Sequence, residues 1–199
     1  CRRRASGRAC RPVLRRVSLF AAGLLAVAAA ALAAQGELDP SFGSAGNGRV
    51  LEGFSSLSPL GLAIIQQGDG KLVVAGSARA TGQMFIARYN SDGSLDQSFS
   101  TDGVVVAGFA FGPGAAYGLL QQPDGKLVIT GTGQNTRAGD SDIVVVRLNS
   151  DGSGDLGFGT GGIASLSGGG FDEFGSAIVR QADGKLLVAG GSDANRGYD

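Results

Sequence analysis

The chain contains no His and no Trp, a single Met, and two Cys, Cys1 and Cys10. Without His there is no imidazole to serve as the base of a Ser-His-Asp triad or as a zinc ligand. With both thiols in the first ten residues, the remainder has no Cys nucleophile and no disulfide framework, so its stability must come from packing. No Gly-rich loop of the P-loop pattern occurs between a strand-like and a helix-like segment, which removes phosphate cradling by that route. What the sequence has instead is 36 Gly in 199 residues without a G-X-Y period, and many short runs of Val, Ile and Leu. Such runs bounded by Gly, Asp and Asn are the pattern of numerous short strands joined by tight turns, and the fold class expected is all-β.

The first 34 residues differ from the rest. Seven Arg lie between Arg2 and Arg16, followed by the uncharged stretch "VSLFAAGLLAVAAAALAA" and the small-x-small site Ala31-Leu32-Ala33. A basic region, an apolar region and such a site mark a secretory signal peptide, expected as a helix over 1–34 and cleaved near Ala34. An uncleaved anchor is the alternative, but an Ala-rich run is weakly apolar for spanning a bilayer. Arg15-Arg16 resembles a twin-arginine pair, though the rest of that signal is poor and ordinary export is favoured. Residues 35–199 then carry 10 basic against 17 acidic side chains, a net −7, and no basic footprint for nucleic acid. The expected location is secreted, periplasmic or cell-envelope, with no stable membrane span after cleavage. The chain starts at Cys1 rather than Met and stops in "SDANRGYD", so it reads as part of something longer. Expressed alone, residues 35–199 are expected to self-associate or aggregate.

Internal repetition sets the organisation. Asp-Gly-Lys begins at Asp69, Asp124 and Asp183, spaced by 55 and 59 residues. "NSDGSLDQSFS" from Asn90 matches "NSDGSGDLGFG" from Asn149, also 59 apart, and "LDPSFGSAG" from Leu38 is an earlier copy. A period in this range indicates a propeller, solenoid or array. One period reads as four strands, in the middle copy "GVVVAGF", "AYGLLQQ", "KLVITG" and "DIVVVRLN", which suits one propeller blade. The approximate blades are 47–90, 103–149 and 161–199, the last lacking its fourth strand. Asp-Gly forms a hairpin turn, because Gly accepts positive φ and Asp tolerates turn geometry. "LVVAG", "LVITG" and "LLVAG" are apolar at consecutive positions, as expected of strands buried on both faces between neighbouring blades.

"LDPSFG", "DGKLVVAG", "IARYNSDGSLDQSF" and "VVRLNSDGSGDLGF" resemble the delta-60 repeat, a bacterial repeat of exported proteins. The resemblance spans essentially all of the chain after residue 34. It implies a β-propeller-like array and export, and it carries over no catalytic residues. Gly154 stands where the other two copies have Leu38 and Leu95, which puts the packing of that connector in question.

The residues with chemical capacity are few. Asp92, Asp96, Asp151 and Asp155 could supply oxygen ligands to calcium, the one cofactor the sequence suggests at all. They lack the spacing and closing Glu of an EF-hand, and the favoured reading is that Asn, Asp and Gly simply build a turn with local side-chain bonds. Lys71, Lys126 and Lys185 follow the hairpin turns and read as solvated, the alternative being a basic rim. Arg88 and Arg147 are expected to pair with an Asp of a connector rather than bind an anion. Phe42, Phe99 and Phe158 read as plugs docking each connector onto the core. Asp172 and Glu173, in "GGGFDEFGSA", are acidic residues of one copy alone, expected in a rim loop. The functional reading is a non-enzymatic binding or structural scaffold whose partner is an unidentified macromolecule or glycan. The alternative is a calcium-dependent propeller hydrolase or lactonase using channel carboxylates from different blades.

Overall fold

Three Asp-Gly-Lys turns each close a hairpin. At all three the Asp carboxylate accepts the backbone N–H of the Lys two residues on, and the Gly sits at φ between 84° and 92°. A residue with a Cβ resists that backbone region, so the turn is written into the Asp-Gly pair. The computed structural model describes residues 37–51, 54, 56–107, 114–134, 140–167 and 171–193. The expected signal segment, 1–34, lies outside them.

The described residues hold ten strands. β1 (Pro59–Gln66), β2 (Leu72–Ala78), β3 (Gln83–Tyr89) and β4 (Val104–Ala107) form one antiparallel sheet in that order. β5 (Gly114–Gln121), β6 (Leu127–Gln134), β7 (Ser141–Leu148) and β8 (Ile163–Leu166) form the second, and β9 (Glu173–Arg180) pairs with β10 (Leu186–Ser192) in a third. The fold is all-β, built from repeated four-stranded antiparallel sheets. Their phase differs by one strand from the blades expected at 47–90, 103–149 and 161–199. "GVVVA" does not open the second sheet but closes the first, through pairs such as Phe85↔Val106. Likewise Ile163–Leu166 closes the second sheet on β7. The physical reason is that the connector from Asn90 to Gly103 folds the chain straight back on β3, a return that periodicity alone does not reveal.

Each hairpin carries a bulge at the same repeat position, opposite Gly76, Gly131 and Gly190. A Cβ on any of these three would collide with a carbonyl of the strand opposite, Leu60, Ala115 or Phe174 respectively. The glycines therefore let the first strand of each sheet bend against the second.

The sheets stack face to face. β5 lies across β1, β2 and β3, and β9 lies across β5, β6 and β7. The sheets thus converge along β1, β5 and β9 and fan outward toward β4 and β8, the arrangement of propeller blades. The main core forms between the first two sheets from Val73, Ala75, Met84 and Ile86 on one side and Ala116, Leu127, Ile129 and Val146 on the other. β6 is buried along almost its whole length because it has a sheet on both faces. This accounts for the unbroken apolar run "LVIT". The far face of β9 and β10, and the near face of β1, have no sheet against them among the described residues.

Candidate functional site

The polar residues singled out by the sequence assemble into a unit that recurs once per repeat. In the first copy, Asp96 lies in the connector between β3 and β4 and is buried. Its Oδ2 accepts from Lys71 Nζ at 2.7 Å and from Arg88 Nε at 2.6 Å, while Oδ1 accepts from the Ser98 hydroxyl at 2.6 Å and backbone N–H at 3.0 Å. Burial pushes the Asp96 carboxyl up, but the hydrogen bonds from Lys71, Ser98 and Arg88 together outweigh it and hold the group well below the ordinary carboxylate range. The Arg88 guanidinium stacks 4.6 Å from the centre of the Phe99 ring, which is fully buried.

The second copy repeats the arrangement. Asp155 Oδ2 accepts from Lys126 Nζ at 2.8 Å and Arg147 Nε at 2.7 Å, and Arg147 lies 4.4 Å from the Phe158 ring centre. The Lys126 hydrogen bond is the main reason the Asp155 carboxyl is lowered; burial opposes it, and the Arg147 hydrogen bond and charge add to the lowering. This copy is looser. Gly154 makes the same bridge to Leu148 that Leu95 makes to Tyr89, but it brings no side chain where Leu95 packs against the Phe85 cluster. Arg147 is correspondingly more exposed than Arg88.

The Asn-Ser-Asp-Gly turns do a second job that no single repeat discloses. Arg88 Nη1 donates to the Ser150 carbonyl at 2.6 Å, and Ser100 N–H donates to the Asp151 carbonyl at 2.8 Å. Gly152 rests directly on the Phe99 ring, where a Cβ would have no room. The turn of one repeat therefore caps the connector of the repeat before it. The same relation holds one step earlier, where Gly43 N–H donates to the Asp92 carbonyl and Gly93 packs on Phe42 and Val50. A glycine at the fourth turn position is what allows this stacking. The signal in the sequence is the Gly that recurs beside a recurring Phe, but only the fold shows that the two belong to different repeats.

The four candidate calcium ligands lie as two pairs, Asp92 with Asp96 in one loop and Asp151 with Asp155 in the next, and within each loop the two carboxylates bond different partners. Asp96 and Asp155 face cations in separate connectors. Asp92 and Asp151 sit in exposed turns, each accepting from the hydroxyl and backbone N–H of the Ser two residues on, bonds that lower both carboxyls. Among the described residues no three acidic side chains are grouped to hold a metal. The lysines need a correction. Lys71 and Lys126 are half-buried and reach back into the connectors, and of the three Lys185 is the one largely open to solvent, held by Asp183 at 2.7 Å. The carboxylate that draws Lys71 inward lies 25 residues further along the chain, where a lysine at a strand start gives no sign of it. Asp172 and Glu173 separate in role. Asp172 is exposed and accepts Ser141 N–H at 2.8 Å, tying the third sheet to β7. Glu173 is not in a rim loop but is the buried first residue of β9, and its carbonyl accepts the Thr132 hydroxyl.

An open cleft of about 500 Å³ lies between Ser41–Leu51 and the Asp92–Leu95 turn. Asp92 is the one acidic residue lining it. No helix among the described residues is long and apolar enough to cross a membrane.

This architecture agrees with comparison to known proteins. Residues 67–99 and 122–158 match the family described as domain of unknown function (DUF5122) beta-propeller. Both matches begin at the Gln before the hairpin turn and end on the connector Phe, so they cover the same unit twice, from turn through ion-pair connector. The chain carries β-propeller-type repeats, and such a domain points to a binding or structural role. No curated protein matches the chain.

Proposed function

We propose that the chain is an exported, non-enzymatic scaffold of the delta-60 repeat type, with a propeller surface that binds a macromolecule or glycan. The observation that carries this reading is the use made of the recurring polar residues. Lys71, Arg88 and Asp96, and their copies Lys126, Arg147 and Asp155, neutralise one another inside the connectors. Groups at the same place in every repeat serve the stacking of repeats, whereas an active site in an array draws on residues peculiar to one blade. The leader "VSLFAAGLLAVAAAALAA" behind seven arginines supports export, and the absence of His and of Cys beyond residue 10 supports a binding role.

The purified chain should show no hydrolysis of aryl esters or lactones above the buffer rate, with or without added calcium. Calcium-dependent turnover lost in an Asp172→Asn variant would instead establish the hydrolase reading. Secreted protein should begin within a few residues of Ala34, and N-terminal sequencing that still reads Arg2–Arg16 would refute export by cleavage.

A further inference from the structure

The first strand of each sheet, the one along which the sheets converge, carries one residue more than its partner strand. β1 pairs Gly61 and Ala63 with Gly76 and Ala75, β5 pairs Ala116 and Gly118 with Gly131 and Thr130, and β9 pairs Gly175 and Ala177 with Gly190 and Ala189. The extra residues are Leu62, Tyr117 and Ser176, and all three are exposed. A bulge of this kind re-aims a side chain out of the ladder, and such bulges gather beside active sites.

The frame of this position is constant while its occupant changes. Each extra residue is flanked by one Gly and one Ala, yet the side chain displayed is aliphatic in the first repeat, aromatic in the second and a hydroxyl in the third. The Lys, Arg and Asp of the connectors behave in the opposite way, recurring unchanged because they hold the repeats together. The bulges of β5 and β9 lie side by side, since a Cβ built on Gly118 would come within 3.2 Å of the Ala177 Cα. Tyr117 and Ser176 are the residues that immediately precede these two. β5 has a sheet on each side of it, so the 37% exposure of Tyr117 belongs to the middle of the stack and not to either end. Its hydroxyl makes no hydrogen bond among the described residues.

From this geometry we propose that the inner edge of the stack binds a neutral glycan, one sugar ring stacking on Tyr117 with Leu62 on one side and Ser176 on the other. This inference rests on the reading of the chain as a binding scaffold and names the ligand class. A sugar ring presents C–H groups on its face and hydroxyls around its rim. Tyr117 offers the electron-rich face of an aromatic ring to the first, and a phenol hydroxyl that can both donate and accept to the second. The Ser176 hydroxyl donates to the Ala189 carbonyl at 3.1 Å, which leaves its oxygen able to accept from a sugar hydroxyl. Leu62 extends the apolar surface, and the flanking Gly and Ala put no bulk beside the ring. None of the extra residues or their neighbours is charged, so nothing in the strip would neutralise a phosphate or sulfate, and an anionic polymer does not fit.

The test is calorimetric titration of the full chain with cello-, malto-, xylo- and chito-oligosaccharides. At least one of these should bind saturably, and because the chain has three Tyr and no Trp, the same titration should change the tyrosine emission. Tyr117→Ser should weaken that binding about tenfold or more, the order of one lost aromatic anchor. The third sheet already carries Ser at this bulge, so the variant should keep the wild-type circular dichroism and melting curve. Tyr117→Phe, which keeps the ring and loses only the hydroxyl, should retain most of the affinity. Binding by Tyr117→Ser as tight as by the wild type, no binding of any of the four oligosaccharide series, or tighter binding of a sulfated or phosphorylated polymer would overturn the proposal. None of these results bears on the scaffold reading, which fails separately if the chain hydrolyses aryl esters or lactones.

Discussion

Arg88 and Arg147 hold the same place in two repeats yet are held unequally. Arg88 is nearly buried, bonded to Asp96, capped by the Ser150 carbonyl and stacked on Phe99. Removing the carboxylate charge there leaves a buried guanidinium uncompensated, and breaking such a pair from one side costs about 3–5 kcal/mol. Asp96→Asn should therefore lower the urea midpoint sharply, with a loss near the bottom of that range because Asn retains hydrogen bonds. Asp155→Asn should cost distinctly less, since Arg147 and Lys126 remain partly in water. The same carboxyl makes the protein acid-sensitive. Asp96 is lowered in the folded state, so its contribution is fully present above the unfolded value of about 4. It is lost as the pH falls below that value toward the folded one. Denaturation midpoints should be level above about pH 5 and fall progressively below pH 4, and the fall should be shallower in Asp96→Asn.

At the scale of the strand and turn, much was legible from the residues. Asp124-Gly125-Lys126 reads as a hairpin turn because φ at Gly125 must be positive, and it is 84°. The connector Phe reads as a plug, and Phe99 is one, fully buried. The pairing of Arg88 with a connector Asp was equally readable, since a packing arginine should recur with its repeat. The phase of the sheets was not. Val104–Ala107 carries the same apolar signature whether it opens one sheet or closes another, and only its ladder to β3 decides. Lys126 reads from the sequence as solvated for a related reason, its partner Asp155 being remote in the chain. That pairing modifies the expected contrast between turn variants. Gly125→Val should still cost more than Lys126→Ala, by roughly 1–3 kcal/mol for a β-branched residue at positive φ, less whatever Lys126→Ala loses with its ion pair. Gly131→Ala should be at least as harmful, because its Cβ would meet the Ala115 carbonyl at the bulge, an overlap of the kind that costs about 1–3 kcal/mol. Chemical denaturation of the three variants side by side checks the order.

For the whole molecule, the stacking of one sheet on the next is both the source of stability and the arrangement that disposes of the charges. Asp96 and Asp155 already hold two cations each, so a divalent ion would have to displace lysine and arginine to reach them. Calcium added in excess should accordingly leave the melting temperature unchanged, and a rise that saturates with calcium would show that the acidic turns bind it. The same stacking grades the stability along the chain. β6 is covered on both faces and its register runs unbroken against β7 from Leu127 to Gln134, whereas β10 is paired to β9 alone and open on one face. Amides open in proportion to what covers them, so hydrogen exchange should be slowest in β6 and faster in β9 and β10. An exchange pattern uniform across the three sheets would mean that protection does not follow the stacking and that the sheets open as one unit.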